Sequence, residues 1–135
     1  LANIDQYLNA LEHRTEVTES AFFDVEKKLG IKLPIAYRNF LKLNNGGEGF
    51  IGESSYVAFW PVEELAAKNR AYEVEKQAPG LLVFASDGGG EAYGFDTRAA
   101  NWPVVQVPFI GMEWKVAWPM GESFDAFLQH LYDSE

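Results

Sequence analysis

Three carboxylates, Asp87, Glu91 and Asp96, lie around the run Gly88-Gly89-Gly90. Their chemistry would be proton transfer or the coordination of a hard cation, and either use requires two of them to converge. A hydrophobic run, Leu81-Leu82-Val83-Phe84-Ala85, leads into the glycines, and Tyr93 and Phe95 alternate with Ala92, Gly94 and Asp96 after them. The segment therefore reads as a β-hairpin. In its returning strand Glu91 and Asp96 are an odd number of positions apart, and a period of two sends them to opposite faces. They cannot easily share one ion. Asp87 is explained as the residue that opens the turn by bonding nearby amides. A phosphate cradle would need a helix N-terminus and a basic residue behind the glycines, whereas here acids flank them and a strand follows. The turn is read as a hairpin apex, with Gly89 or Gly90 expected at positive φ.

The only histidines are His13 and His130, one near each end of the chain, each on the polar side of an amphipathic pattern. There is no cysteine, which excludes disulfides and thiolate metal sites and suits a reducing compartment. No catalytic residue, metal ligand or cofactor is assigned, and a cytoplasmic location is expected.

The elements that would position these residues follow from periodicity. Asn3 can cap a first helix carrying Ile4, Tyr7, Leu8 and Leu11 on one face. Thr18 can cap a second, with Val17 stapled against Phe22, an apolar stripe of Phe22, Val25 and Leu29, and Gly30 at its end. Pro34 opens a third, with Tyr37, Phe40, Leu41 and Asn44 on one face and Gly46-Gly47 closing it. The period then changes to two: Phe50-Ile51 and Tyr56–Trp60 read as strands. A helix is expected from Pro61 to about Gln77, and strands at Leu81–Ala85, Ala92–Phe95, Val104–Val107 and Trp114–Trp118. Ser123 caps a last helix with Phe124, Phe127, Leu128 and Leu131 at helical spacing. The 135 residues thus read as one α+β domain, a mainly antiparallel sheet covered on one face by helices at the N- and C-terminal ends.

Charge is unevenly placed. Residues 1–42 hold six acids and six bases, whereas residues 43–135 hold fourteen acids and five bases, which accounts for the net charge of −9. No base lies between Lys42 and Lys68, a gap that contains Glu48, Glu53, Glu63 and Glu64. Such a surface serves solubility, opposes nucleic acid and anionic lipid, and favours a basic protein partner. No apolar run is long enough to span a bilayer. The aromatics Tyr56, Phe59, Trp60, Trp102, Trp114 and Trp118 read mainly as sheet core, with any uncovered ones available to a partner. The candidate partner-binding set is Glu48, Glu53, Tyr56, Glu91, Glu113 and Trp114, with Tyr56 and Trp114 as aromatic anchors at the starts of their strands.

The order of several short motifs resembles a known family. Leu29-Gly30, Leu33-Pro34, Tyr37, Phe40-Leu41 and Asn45-Gly46-Gly47 are similar to the opening signature of the SUKH superfamily, in its Smi/Knr branch. Leu82–Ala85, the Asp87–Gly90 turn, Tyr93-Gly94-Phe95-Asp96, Pro103-Val104 and Ser123–Leu128 continue the pattern, so the resemblance covers about residues 19–131. It implies an α+β domain with a curved central sheet. It also implies a non-enzymatic protein: an immunity protein that binds and neutralises a polymorphic toxin, often a nuclease, or a regulatory interaction protein of the cell-wall regulator kind. A small-molecule binder using the acidic hairpin is the remaining alternative. Trp114–Pro119 has no counterpart in the pattern.

Overall fold

A computed structural model describes residues 17–134. The helix expected around Ile4–Leu11, its Asn3 cap and His13 lie outside the described residues. Helix α1 (Glu19–Leu29) begins at Thr18, whose side chain accepts from the Ala21 amide, and ends at Gly30 in the left-handed conformation. Val17 and Phe22 are both buried. Pro34 is the cap of α2 (Ile35–Leu43) rather than its first residue, because its extended ψ of 143° lies outside the helix while its carbonyl still accepts from the Arg38 amide.

Strands β1 (Glu48–Ile51), β2 (Ser55–Phe59), β3 (Leu81–Ser86), β4 (Glu91–Asp96), β5 (Val104–Pro108) and β6 (Trp118–Gly121) form one six-stranded sheet in chain order, every neighbouring pair antiparallel. The sheet curls into a half-barrel. Helix α5 (Phe124–Asp133), capped by Ser123 through the Ala126 amide, packs across it from the C-terminal end. One face is filled by a continuous aromatic cluster. Tyr37 of α2 lies 5.4 Å from Phe84 and 5.2 Å from both Phe95 and Phe124, and Phe40 lies 4.6 Å from Phe59. These rings are buried, and each contributes on the order of 2–3 kcal/mol of burial. Burial also raises the Tyr37 phenol well above its ordinary pKa.

Two features set the geometry on the other side of β2. First, β2 pairs with β3 at Ala58–Ser86 and Phe59–Ala85, keeps one further bond from the Trp60 amide to the Phe84 carbonyl (2.9 Å), and then parts from it. The edge of β3 so uncovered is satisfied by one side chain: Asn69 accepts from the Val83 amide (2.9 Å) and donates to its carbonyl (2.9 Å). An asparagine amide reproduces the donor–acceptor pair of a peptide, so it substitutes for the missing strand. Second, Asn45 accepts from the Val62 amide (2.8 Å) and donates to Glu63 (2.9 Å), tying the end of α2 to the segment after β2. Gly46, at φ +85°, passes so close to Pro61 that a Cβ would come within 2.7 Å of it, which requires glycine here.

Two expected elements differ. The helix read over residues 61–77 is a 3-10 turn (Val62–Glu64), then α3 (Leu65–Ala71), then α4 (Val74–Gln77), broken where Glu73 turns to φ +55°. The strand read over Trp114–Trp118 is a 3-10 turn (Trp114–Val116), with β6 beginning only at Trp118. Trp114 is withdrawn from the sheet because its indole N–H donates to the Pro79 carbonyl (2.8 Å) and Arg98 stacks 3.5 Å above its ring. Alternation in sequence cannot register such a long-range capture.

Candidate functional site

Over the paired residues of β2 and β3 the molecule is concave. An open cleft of about 770 Å³ lies between α3 and the β3–β4 turn. Directly paired residues of an antiparallel sheet share a face, so Ala58 and Ser86 form a small-residue floor. One wall is aromatic. Trp60 stacks on Tyr72 at 5.9 Å and an interplanar angle of 12°, and Phe109 closes the group at 4.8 Å from Tyr72 and 6.4 Å from Trp60. Trp60 is nearly covered, but Tyr72 is 44% exposed and Ile110 beside it is 93% exposed. Gly88–Gly90 line the cleft without side chains and are joined to the aromatic wall where the Phe109 amide donates to the Gly90 carbonyl (2.9 Å).

The polar groups of this cleft come from three elements. Glu64, Lys68 and Tyr72 are spaced by four along α3 and its ends, so they share one helix face. The Lys68 ammonium lies 3.6 Å from Glu64 and 5.1 Å from the Trp60 ring centroid. Glu48, at the start of β1, accepts a short hydrogen bond from the Tyr56 hydroxyl. Tyr56 in turn packs beneath the turn, since a Cβ on Gly88 would come 2.8 Å from its ring. The cleft thus presents the carboxylates of Glu48 and Glu64, with Glu91 at its rim, and one already paired cation around an apolar wall.

The sequence-predicted site residues fall in three places. Glu48 and Tyr56 meet at the cleft, with Tyr56 acting as support beside the Phe50 ring (5.3 Å) rather than as an exposed anchor. Glu91 lies at the rim, yet by register its side chain shares the face of Tyr93 and Gln106, and Gln106 donates to it (3.3 Å). Burial foremost, then the charges of Asp87 and Glu91, push the Tyr93 phenol up to about 12. Glu53 sits in the β1–β2 turn, whose Ser54 hydroxyl donates to the Ser134 carbonyl. Glu113 and Trp114 lie at the other end of the β3–β4 hairpin, Glu113 paired with Lys115 at 3.8 Å. Asp96, also at that end, is held by Arg98, whose hydrogen bond lowers its carboxyl below the usual value. Asp87 does open the turn, accepting from the Gly89 amide (2.8 Å) and the Glu91 amide (3.2 Å). Among the described residues no group of three His, Asp or Glu gathers closely enough to hold a metal ion.

The sequence profile of the SMI1 / KNR4 family (SUKH-1) matches residues 16–130. The chain belongs to that family. No curated protein matches it. In this SUKH-1 domain the residues that carry the resemblance are chiefly structural. Tyr37, Phe40 and Leu41 are core, Asn45 and Gly46 fasten α2 to Pro61 and Val62, and Phe124 and Leu128 seat α5. Of the cleft residues, Glu64 enters the sequence reading only as one of the acids in the gap without bases, and Lys68, Tyr72, Phe109 and Ile110 are not singled out there. The four-residue spacing of the first three was a readable signal of a shared helix face, whereas the exposure of Ile110 left none.

Proposed function

We propose that this SUKH-1 domain is a non-enzymatic cytoplasmic binding protein of the immunity type, which neutralises a basic toxin domain by covering it with the acidic cleft face. The observation that carries the reading is the cleft itself: an aromatic wall with Tyr72 and Ile110 open to solvent, beside the carboxylates of Glu48 and Glu64. Partly desolvated aromatics supply most of the affinity in such interfaces, and surrounding charge sets partner choice and encounter rate. The net charge of −9 favours a basic partner at long range. Family membership is consistent with an immunity or interaction protein.

The test is co-expression with any toxin domain encoded beside this chain's gene, followed by pull-down and binding kinetics. The reading expects rescue of growth, a stable complex, and association that slows as salt rises from low to physiological, with little change in dissociation. An acidic partner, or growth inhibition unrelieved by co-expression, overturns it.

A further inference from the structure

The cleft already holds a cation, and the way it does so indicates what else it accepts. The Lys68 ammonium sits between the Glu64 carboxylate and the Trp60 ring, the two kinds of group that attract a positive charge from opposite sides. Lys68 leaves much of the wall unused: Tyr72 remains 44% exposed and Ile110 93% exposed, with Glu48 across the floor. We propose that the cleft is a slot for an arginine side chain of the basic partner. The guanidinium stacks on Tyr72 and pairs with Glu64 and Glu48, displacing Lys68 from Glu64, while its aliphatic stem lies against Ile110 and Phe109.

Three observations favour arginine over other occupants. Tyr72, though it packs on Trp60 and Phe109, stays 44% exposed, and a planar, weakly hydrated guanidinium stacks on an aromatic ring where an ammonium cannot. Gly88–Gly90 bring no side chain to the cleft, and an added Cβ on Gly90 would meet nothing within 4 Å, so a flat group has room to enter. The charge left over is negative, with Glu48, Glu64 and, at the rim, Glu91 against one lysine. Lys68 acts in this arrangement as an internal competitor that keeps the slot neutralised until an arginine arrives.

This inference rests on the partner-binding reading, but its test needs no partner. N-acetyl-arginine methylamide is titrated into the isotope-labelled full chain and followed by NMR, with the citrulline and lysine analogues as neutral and ammonium controls. The arginine probe is expected to shift the amides of Gly88–Glu91 and Ile110 and the Trp60 indole, the lysine probe to bind more weakly, and the citrulline probe to shift none of them. Tyr72→Ala and Glu64→Gln are each expected to weaken the arginine probe by about two- to fivefold. Lys68→Met, which removes the competitor, is expected to tighten it by about two- to fivefold, a gain that a merely structural Lys68 does not predict. Equal shifts from citrulline, shifts confined to another surface, or no tightening in Lys68→Met overturns the slot. A partner that binds through the cleft while the arginine probe fails also overturns the slot and leaves the partner reading intact. Arginine-probe binding in the cleft without any toxin complex upholds the slot and removes the partner reading alone.

Discussion

The two ends of the β3–β4 hairpin carry the same ingredients, a basic side chain over a tryptophan with a carboxylate beside it, and use them differently. At the Asp96 end, Arg98 meets Asp96 through two contacts, Nε to Oδ1 at 2.9 Å and Nη2 to Oδ2 at 3.2 Å. Its guanidinium lies 3.5 Å from the Trp114 ring centroid, and the Trp114 indole N–H is taken by Pro79. Every strong group there has its partner, so the cluster clips the 109–117 segment onto the sheet. At the turn end, Lys68 has a single, longer contact with Glu64 and stands 5.1 Å from Trp60, and the adjoining Tyr72 and Ile110 are left open. Two-point geometry closes one site into structure. One-point geometry leaves the other site with capacity for a partner.

If this contrast holds, changes at the Asp96 end act on stability and not on binding. Trp114→Ala is expected to have the largest effect on stability, about 2 kcal/mol, since a half-buried aromatic costs less than the 3–5 kcal/mol of a core one. Denaturant unfolding checks the loss, and unchanged partner affinity in the same variant checks its confinement. Next, Gly88→Ala is expected to cost about 1 kcal/mol or more, because Gly88 has φ +85° and abuts Tyr56, the support of Glu48. Gly90→Ala is expected to stay within about 0.5 kcal/mol. The smallest effect is a pH dependence. Arg98 lowers the Asp96 carboxyl below the value of 3.8 it has unfolded, so its contribution is present above that value and lost as pH falls through the folded one. Asp96→Asn is therefore expected to be less stable than wild type near neutrality and to lose less stability on acidification below about pH 4. Acid titrations of the two proteins followed by circular dichroism measure the difference.

How much of this was legible in the sequence depended on the range of the interactions. The caps at Thr18 and Ser123 and the turn role of Asp87 are local, and each was read correctly from neighbouring residues. The expectation of positive φ at Gly89 or Gly90 was wrong: Gly88 takes it, at +85°, and neither of the others lies in that region. Three consecutive glycines leave the position of the turn undetermined by local chemistry, and the packing of Tyr56 against Gly88 accompanies the outcome. The strand expected at Trp114 failed for a similar reason, since Pro79 and Arg98 hold that ring from afar. The candidate site was half legible. Glu48 and Tyr56 come together, whereas Glu53 and Glu113 lie on other parts of the surface and Glu91 turns toward Gln106. Charge runs identify an acidic region, but strand register decides which carboxylates share a concavity. The parting of β2 from β3 leaves its trace in Asn69, a polar residue buried against a strand.

The central claim is that the partner engages the cleft rather than the acidic surface at large. The measurement compares association kinetics of the proposed basic partner with two double charge reversals, Glu48→Lys with Glu64→Lys and Glu53→Lys with Glu113→Lys. The two proteins have equal net charge, so long-range attraction changes by a similar amount in both. The cleft pair is expected to slow association and speed dissociation, weakening affinity by about tenfold or more relative to the remote pair. Equal weakening by both pairs, or a greater loss from Glu53 and Glu113, would contradict it.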